Sequence, residues 1–176
     1  MARNVEIKAR VDSLASVAER AAALADQGPT LIEQDDTFFR CSQGDGGRLK
    51  LRAFPAGDGE LIFYRRADSA GPKESFYVRS PTAVPDSLRE ALTLAHGVIG
   101  RVRKRRTLFL AGRTRIHLDE VEGLGPHIEL EVVLADDETA ADGIAVARAL
   151  MAQLGVAPSQ CVEGAYLDLL QAERRA

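Results

Sequence analysis

Ionisable residues recur at every second position in several short stretches of this chain. Glu6, Lys8 and Arg10 alternate with Val5, Ile7, Ala9 and Val11, and Arg48, Lys50 and Arg52 alternate with Leu49 and Leu51. Arg113, Arg115, His117 and Asp119 alternate with Ile116 and Leu118, and Glu129 and Glu131 with Ile128, Leu130 and Val132. Successive side chains of a β-strand point to opposite faces, so each stretch gathers its charges on one side and its apolar residues on the other. In a single half-exposed strand the charges would simply face water. Shared by four strands, the habit suits a closed or nearly closed barrel whose apolar faces are covered by helices and whose charged faces line one hollow. Unpaired ions inside such a hollow cost several kcal/mol each. The arrangement therefore fits a wet channel that holds a polyanion, with cations from several strands around phosphate oxygens. Carboxylates at i and i+2, as in Glu129 and Glu131, point the same way and suit a hard divalent ion such as Mg²⁺ or Mn²⁺.

The elements that must position these groups can be read along the chain. A first strand over 3–11 leads through Asp12 and Ser13, good capping residues, into an amphipathic helix over 13–26 that ends at Gly28-Pro29. Strands follow over 30–40, 48–52, 60–66 and 73–80, with hairpins expected around 43–47 and 55–59 and a third around 68–72. A short helix over 85–95 opens with Pro85, Asp86 and Ser87 and is broken at 97–100. Strands over 101–110, 113–121 and 127–135 come next, then a helix over 136–154 and a final helix over 162–174. The total is about eight strands with helices at the start, middle and end. In the basic strand, Lys104 and Arg106 share a face with Leu108 and Leu110, whereas Arg103 and Arg105 share one with Phe109. A bulge would reconcile the two faces, and which cations of 101–106 point inward stays open at this level.

Composition sets the outer bounds. The 176 residues fit one domain, spanning 1–176. With 23 basic and 26 acidic side chains the formal net charge is −3, and 45% hydrophobic residues are enough for a core. A disordered tail, a collagen-like fibre and a disulfide-stapled miniprotein are excluded. No stretch approaches the roughly 18 apolar residues of a membrane span, and MARNVEIKAR is charged too early for a secretory signal. Cys41 and Cys161 have no metal or redox spacing and are expected to be reduced thiols of a cytoplasmic protein. The run 101–106 holds five cations in six residues, but the net charge and the lack of a nucleic-acid motif argue against a nucleic-acid partner. The turn SQGDGGR lacks the spacing of a phosphate-binding GxxxxGK[ST] loop. His96 reads as a solvated helix cap and Tyr166 as a core contact. His117 reads either as a group lining the hollow or as a satisfied structural histidine.

Seven phrases together carry a family resemblance: Asn4-Val5-Glu6-Ile7-Lys8, QDDTFF at 34–39, GRLKLR at 47–52, YRRAD at 64–68, VRKRRTLF at 102–109, LDEVEGLG at 118–125 and IELEVV at 128–133. In this set and order the chain resembles the CYTH superfamily, the triphosphate tunnel metalloenzymes, and its phrasing is nearest the bacterial class IV adenylyl cyclase-like proteins. The resemblance implies an α+β fold, an eight-stranded antiparallel β-barrel (a tunnel) with helices packed on the outside. It implies a small-molecule triphosphate as substrate (ATP, inorganic triphosphate or thiamine triphosphate) with Mg²⁺ or Mn²⁺ as cofactor. Glu6, Glu129 and Glu131 are then the metal ligands. Lys8, Arg48, Lys50, Arg52, Arg66, Lys104 and Arg106 contact phosphates, and Glu6, Lys8 and Asp119 are the catalytic candidates. No membrane partner is expected, and a monomer or homodimer is.

Two reactions share this machinery: a cyclase makes cyclic AMP and pyrophosphate from ATP, and a triphosphatase uses water on the terminal phosphorus. One position departs from the pattern. Asn4 stands where the family's first glutamate falls, and an amide oxygen can ligate a metal but brings no charge and cannot act as a base. That departure raises a second reading, a non-catalytic triphosphate- or polyphosphate-binding module. A third, lesser reading is an RNA 5′-triphosphatase-like role. His127 precedes the Glu-x-Glu pair where the family commonly has an aromatic.

Overall fold

The computed structural model describes residues 2–41, 46–66 and 72–175, with the side chains of Ala2 and Arg66 left out. Eight strands close into a barrel in the order β1-β5-β4-β3-β2-β6-β7-β8, and every neighbouring pair is antiparallel. They are β1 (Ala2–Arg10), β2 (Gln27–Phe39), β3 (Gly47–Ala53), β4 (Gly59–Arg66), β5 (Lys73–Thr82), β6 (Val98–Ala111), β7 (Thr114–Val121) and β8 (Gly125–Val133). Four helices accompany them: α1 (Leu14–Leu24), α2 (Pro85–His96), α3 (Ala140–Gln153) and α4 (Tyr166–Glu173). Among the described residues no helix is long and apolar enough to cross a membrane. The turns expected around 43–47 and 68–72 fall largely outside the described residues, whereas the one at 55–59 joins β3 to β4.

Helices α1 and α3 cover the outer face of β1, β7 and β8. Val5, Ile7 and Ala9 meet Ile116, Leu118, Ile128, Leu130 and Val132 in one cluster, closed over by Val17 and Ala21 of α1 and Ala147 and Met151 of α3. Burial of each Leu or Ile there contributes about 1.5–3 kcal/mol. Gly143 lets α3 approach β1: a Cβ at that position would sit 2.7 Å from side-chain atoms of Val5 and Leu134. Ser13 caps α1 by accepting from the Ala15 N–H. A reciprocal Thr139–Asp142 capping box starts α3, which is why that helix begins at 140 and not in the acidic run at 136–138.

Helix α4 lies across one mouth of the barrel. Its residues touch strand ends and turns on several sides: Asp168 pairs with Arg48 of β3, the Gln171 amide donates to the Ile99 carbonyl, and Leu170 packs at Gly123. Gly100 is required by this closure, since a Cβ there would fall 2.3 Å from Leu167 Cδ1. The final helix is shorter than the 162–174 span suggests, because the chain before it is extended. There Val162 N–H donates to the Lys8 carbonyl at 3.0 Å, and Cys161 bridges Ala9.

Two breaks read from glycine and proline are parts of strands. Gly28-Pro29 does not end a helix; it lies inside β2, where the β2/β6 register shifts between Gln27 and Thr30. Gly28 has φ 112° and sits against the Leu108 carbonyl, a close approach that needs glycine. Likewise β6 begins at Val98, so Gly100 lies within a strand. No bulge interrupts β6 opposite β7, where the register runs unbroken from Lys104↔Val121 to Ala111↔Thr114. Lys104, Arg106 and Leu108 simply face the interior together.

Candidate triphosphate-binding tunnel

The barrel encloses a cavity of about 240 Å³ lined by inward-facing residues of all eight strands and by Tyr166 of α4. Among these lining residues seven cations face four carboxylates: Lys8, Lys50, Arg52, Arg79, Lys104, Arg106 and Arg115 against Glu6, Asp36, Glu129 and Glu131. The excess is positive although the whole chain carries −3. Folding has therefore sorted the charges, concentrating cations where the dielectric is low and each is worth more to an anion.

The internal pairs are cross-strand neighbours, so the barrel register builds them. Lys8 lies opposite Glu129 on β1 and β8, with Nζ 3.3 Å from Oε1. Arg106 lies opposite Asp119 on β6 and β7 and grips its carboxylate with Nε and one terminal nitrogen, both at 2.7 Å. The same terminal nitrogen reaches Glu129 Oε2 at 2.9 Å. Arg52 lies opposite Asp36 on β3 and β2 and also forks onto it, both bonds 2.8 Å, while Lys50 donates to Asp36 Oδ2 at 2.8 Å. Arg115 lies opposite Glu131 and reaches it at 3.2 Å.

These partners set the protonation states. Burial opposes ionisation of Asp36, but Arg52 and Lys50 hold its carboxyl far below the usual range. Burial likewise opposes ionisation of Glu129, and Lys8, His117 and Arg106 overcome it. Asp119 is ionised against its burial by Arg106 and Lys104. Burial lowers Lys50, with Asp36 opposing the shift. Lys104 is lowered furthest, to about 7, by burial and by the neighbouring Arg106 and Arg52 charges, against Asp119 and Asp36.

The sequence-derived candidates divide by position. Glu6, Lys8, Lys50, Arg52, Lys104, Arg106, Glu129 and Glu131 all line the cavity. Glu6 lies opposite Glu131 in the β1/β8 register. Asp119 is inside the barrel wall but fully buried behind the cavity, enclosed by Arg106, by Lys104 at 3.8 Å and by the Tyr166 hydroxyl, which donates to Oδ2 at 2.8 Å. Arg48 stands at the α4 mouth, forked onto Asp168 at 2.8 and 2.9 Å. The Arg66 side chain lies outside the described residues. Arg10, on the Glu6 and Lys8 face, is exposed beyond the mouth, 3.6 Å from Glu173.

Further residues complete the site, Asp36 missed in the sequence and others read there only in part. Asp36, inside QDDTFF, shares its face with Gln34 and Phe38, so strand parity alone could have flagged it. Tyr166, read as a core contact, is that and more: its ring lies 4.3 Å from Lys8 Nζ and 4.9 Å from Lys104 Nζ, in cation–π range. His127 packs edge-on against Tyr166, ring centroids 5.3 Å apart, and its Nδ1 contacts the Gly125 carbonyl at 3.1 Å, so it backs the site without lining it. His117 does line the cavity, 3% exposed. Its Nδ1 lies 3.8 Å from Glu131 and 4.0 Å from Glu129 and has no hydrogen-bond partner. Asn4 Oδ1, Gln34 Oε1 and Ser75 Oγ are also buried, without hydrogen-bond partners, and line the cavity.

The other cations of 101–106 point outward. They border a broad groove of about 920 Å³ on the barrel exterior. Arg101 donates to Asp35 at 2.6 Å, Arg103 lies 3.6 Å from Asp35, and Arg105 is flanked in register by Glu33 and Glu120. The basic run is thus interleaved with acidic neighbours on its outer face.

A cation-rich cavity inside an eight-stranded barrel, with three of its four lining carboxylates on the adjacent strands β1 and β8, defines a class of protein. The CYTH domain family matches residues 2–166, and the chain belongs to it. Solved structures share the fold. PH1012 from Pyrococcus horikoshii OT3 superposes with TM-score 0.83 at 20% identity, covering 95% of this chain and 99% of its own. A candidate adenylate cyclase from Vibrio parahaemolyticus gives 0.79 at 24% identity, over 96% and 97%. HpAC1 from Hippeastrum, a candidate adenylyl cyclase with a dominant triphosphatase activity, gives 0.67 at 17% identity, over 97% and 96%. No protein of curated function matches the sequence significantly.

Proposed function

We propose that this protein is a metal-dependent enzyme acting on a triphosphate, and that hydrolysis of the terminal phosphate is its principal reaction. The convergence of Lys8, Lys50, Arg52, Lys104 and Arg106 on one buried cavity carries this reading. The cavity of about 240 Å³ lies just under the roughly 300 Å³ of pockets that bury whole drug-sized ligands and suits a phosphate chain; hydrolysis is put first because it needs only that chain held, whereas cyclisation also needs the ribose held against the α-phosphorus. Inorganic triphosphate, or the phosphate tail of a larger molecule such as thiamine triphosphate or ATP, fits inside while the organic part stays near a mouth.

Lys8, Lys50, Arg52, Lys104 and Arg106 come from three strands and would hold the phosphate oxygens from different sides, fixing the chain before reaction. Arg48 would meet the substrate at the mouth, and Arg66 is proposed with it from the sequence pattern alone. Asp119 touches Arg106, Lys104 and Tyr166 and stands away from the cavity, so it acts as a positioning residue that orients cations. Glu6, Glu129 and Glu131 are the proposed ligands of Mg²⁺ or Mn²⁺. The fit is supported by Glu129, Glu131 and His117, whose donor atoms all lie within 4.8 Å of one another. When bound, the metal supplies neutralisation of the charge that develops on the phosphate oxygens. Water oxygen bonds to the terminal phosphorus, the bond from that phosphorus to the bridging oxygen breaks, and the bridging oxygen keeps the electron pair and takes one water proton, so the shortened chain departs and orthophosphate is the second product.

A second reading, a module that binds triphosphate without turnover, is favoured by Asn4, whose uncharged amide lies in the cavity at 2% exposure. Incubation with inorganic triphosphate, thiamine triphosphate and ATP, each with Mg²⁺ or Mn²⁺, separates the outcomes. Orthophosphate means hydrolysis. Cyclic AMP with pyrophosphate means the cyclase reaction. Tight binding with neither product means the binding module.

A further inference from the structure

His117 is the one imidazole among the described residues of the cavity lining, and beyond its closeness to Glu129 and Glu131 it has no role assigned above. It projects from β7 directly opposite Glu129 of β8 in the strand register. The side chain is 3% exposed, yet Nδ1 has no hydrogen-bond partner, an expensive state for a buried polar atom unless something else occupies its lone pair or proton. That nitrogen is aimed between two carboxylates, 3.8 Å from Glu131 Oε1 and 4.0 Å from Glu129 Oε2. Glu131 meanwhile turns its other oxygen, Oε2, to Arg115. The distances to His117 are too long for hydrogen bonds, and although Glu129 also meets Arg106 and Lys8, the three donor atoms converge closely enough for one ion to share them. The 4.8 Å spread is slightly wider than the roughly 4.2 Å between opposite ligands of one octahedral ion, so small rotations bring all three onto it.

We infer that His117 Nδ1 is a metal ligand in the tunnel, and that this mixed nitrogen–oxygen donor set tilts the site from Mg²⁺ toward transition ions such as Mn²⁺ and Co²⁺. Imidazole nitrogen is a softer donor than carboxylate oxygen, and affinity for such a set climbs along the first transition row, whereas Mg²⁺ gains little from it. The ligand on β7 also supplies a donor to a wall where Asn4 brings no charge. This inference rests on the metal-dependent reading above and names which side chain sets the metal preference.

The test is pulsed electron paramagnetic resonance on the intact protein loaded with one equivalent of Mn²⁺. A ¹⁴N modulation that changes to the ¹⁵N pattern when the protein is grown with ¹⁵N-histidine is the expected result. Isothermal titration gives a second measure: the ratio of Co²⁺ to Mg²⁺ affinity is expected to fall about tenfold in His117→Leu, as it does when a site loses a nitrogen donor or its support. Mn²⁺ that binds stoichiometrically with no histidine-nitrogen coupling overturns the inference and leaves the metal-dependent reading standing. Failure of either Mn²⁺ or Mg²⁺ to bind, with or without triphosphate, overturns both. The resonance measurement needs no variant, so misfolding of His117→Leu cannot obscure it.

Discussion

Arg106 and Asp119 face each other across β6 and β7 and are joined by two hydrogen bonds of 2.7 Å, with Asp119 fully buried. The pair is the base on which the cavity-facing cations stand, since Arg106 also holds Glu129 and Asp119 also faces Lys104. Asp119→Ala removes the carboxylate shared by two buried cations and leaves Arg106 with Glu129 alone. Breaking a buried pair from one side costs about 3–5 kcal/mol, so the urea midpoint is expected to fall accordingly. An unfolding free energy within about 0.5 kcal/mol of the parent, the range of ordinary surface changes, would show that the pair carries no structural weight.

Lys104 connects the tunnel to pH. Its ammonium titrates at about 7 because burial and then Arg106 disfavour the charge more than Asp119 and Asp36 favour it. Since the folded value lies below the ordinary 10.5, the unfolded chain binds more protons between the two, and this group's destabilising effect is full below about 7 and relieved as pH rises above it. A triphosphate brings negative charge and raises the folded value, so binding takes up a proton. Affinity is expected to fall as pH climbs above about 7, and calorimetry at about pH 8 in two buffers of different ionisation heat should give different apparent enthalpies. Lys104→Met should abolish the difference; equal heats in the parent protein would count against the assignment.

Alternation of charged and apolar residues made most of the tunnel wall legible. Glu6, Lys8, Lys50 and Glu131 face inward because β-pleating allows nothing else once Val5, Ile7, Leu51 and Leu130 are committed to the other side. The basic strand resisted this reading because its inward face is mixed: Leu108 and Val102 line the cavity beside Lys104 and Arg106, so hydrophobicity did not mark the outside. Tyr166 and Asp168 come from a helix 47 and 120 residues from the strand residues Asp119 and Arg48 that they hydrogen-bond, and no local pattern reports a long-range packing choice. Gly28 and Gly100 misled for a related reason: they serve close approaches to Leu108 and Leu167, not turns.

Asn4 provides a gain-of-function experiment. Its amide oxygen is buried in the cavity without a hydrogen-bond partner, opposite Val133 on β8 and Ser75 on β5. Asn4→Glu places an additional carboxylate near Glu6, so the metal-free protein should lose stability while Mn²⁺ binding tightens by about tenfold, or 1.4 kcal/mol. Thermal melts with and without Mn²⁺ should show a larger metal-dependent rise than in the parent. If turnover of inorganic triphosphate rises as well, the amide limits the parent enzyme; unchanged turnover would show that it never did.

Asp36 should separate stability from ligand affinity. It neutralises Lys50 and Arg52, and its carboxyl is held far below the usual range, so its stabilisation is present above about pH 4 and lost as pH falls toward the folded value. The same carboxylate competes with any polyanion for those two cations. Asp36→Asn keeps the shape and removes the charge. The variant is expected to unfold about 3 kcal/mol more readily at neutral pH, as a buried pair broken from one side does. It should nevertheless bind triphosphate more tightly, with a steeper salt dependence, because Lys50 and Arg52 then have only the ligand to neutralise them. Weaker binding in a folded variant would mean that Asp36 serves to aim the two cations, and that their direction matters more to the phosphates than their unopposed charge.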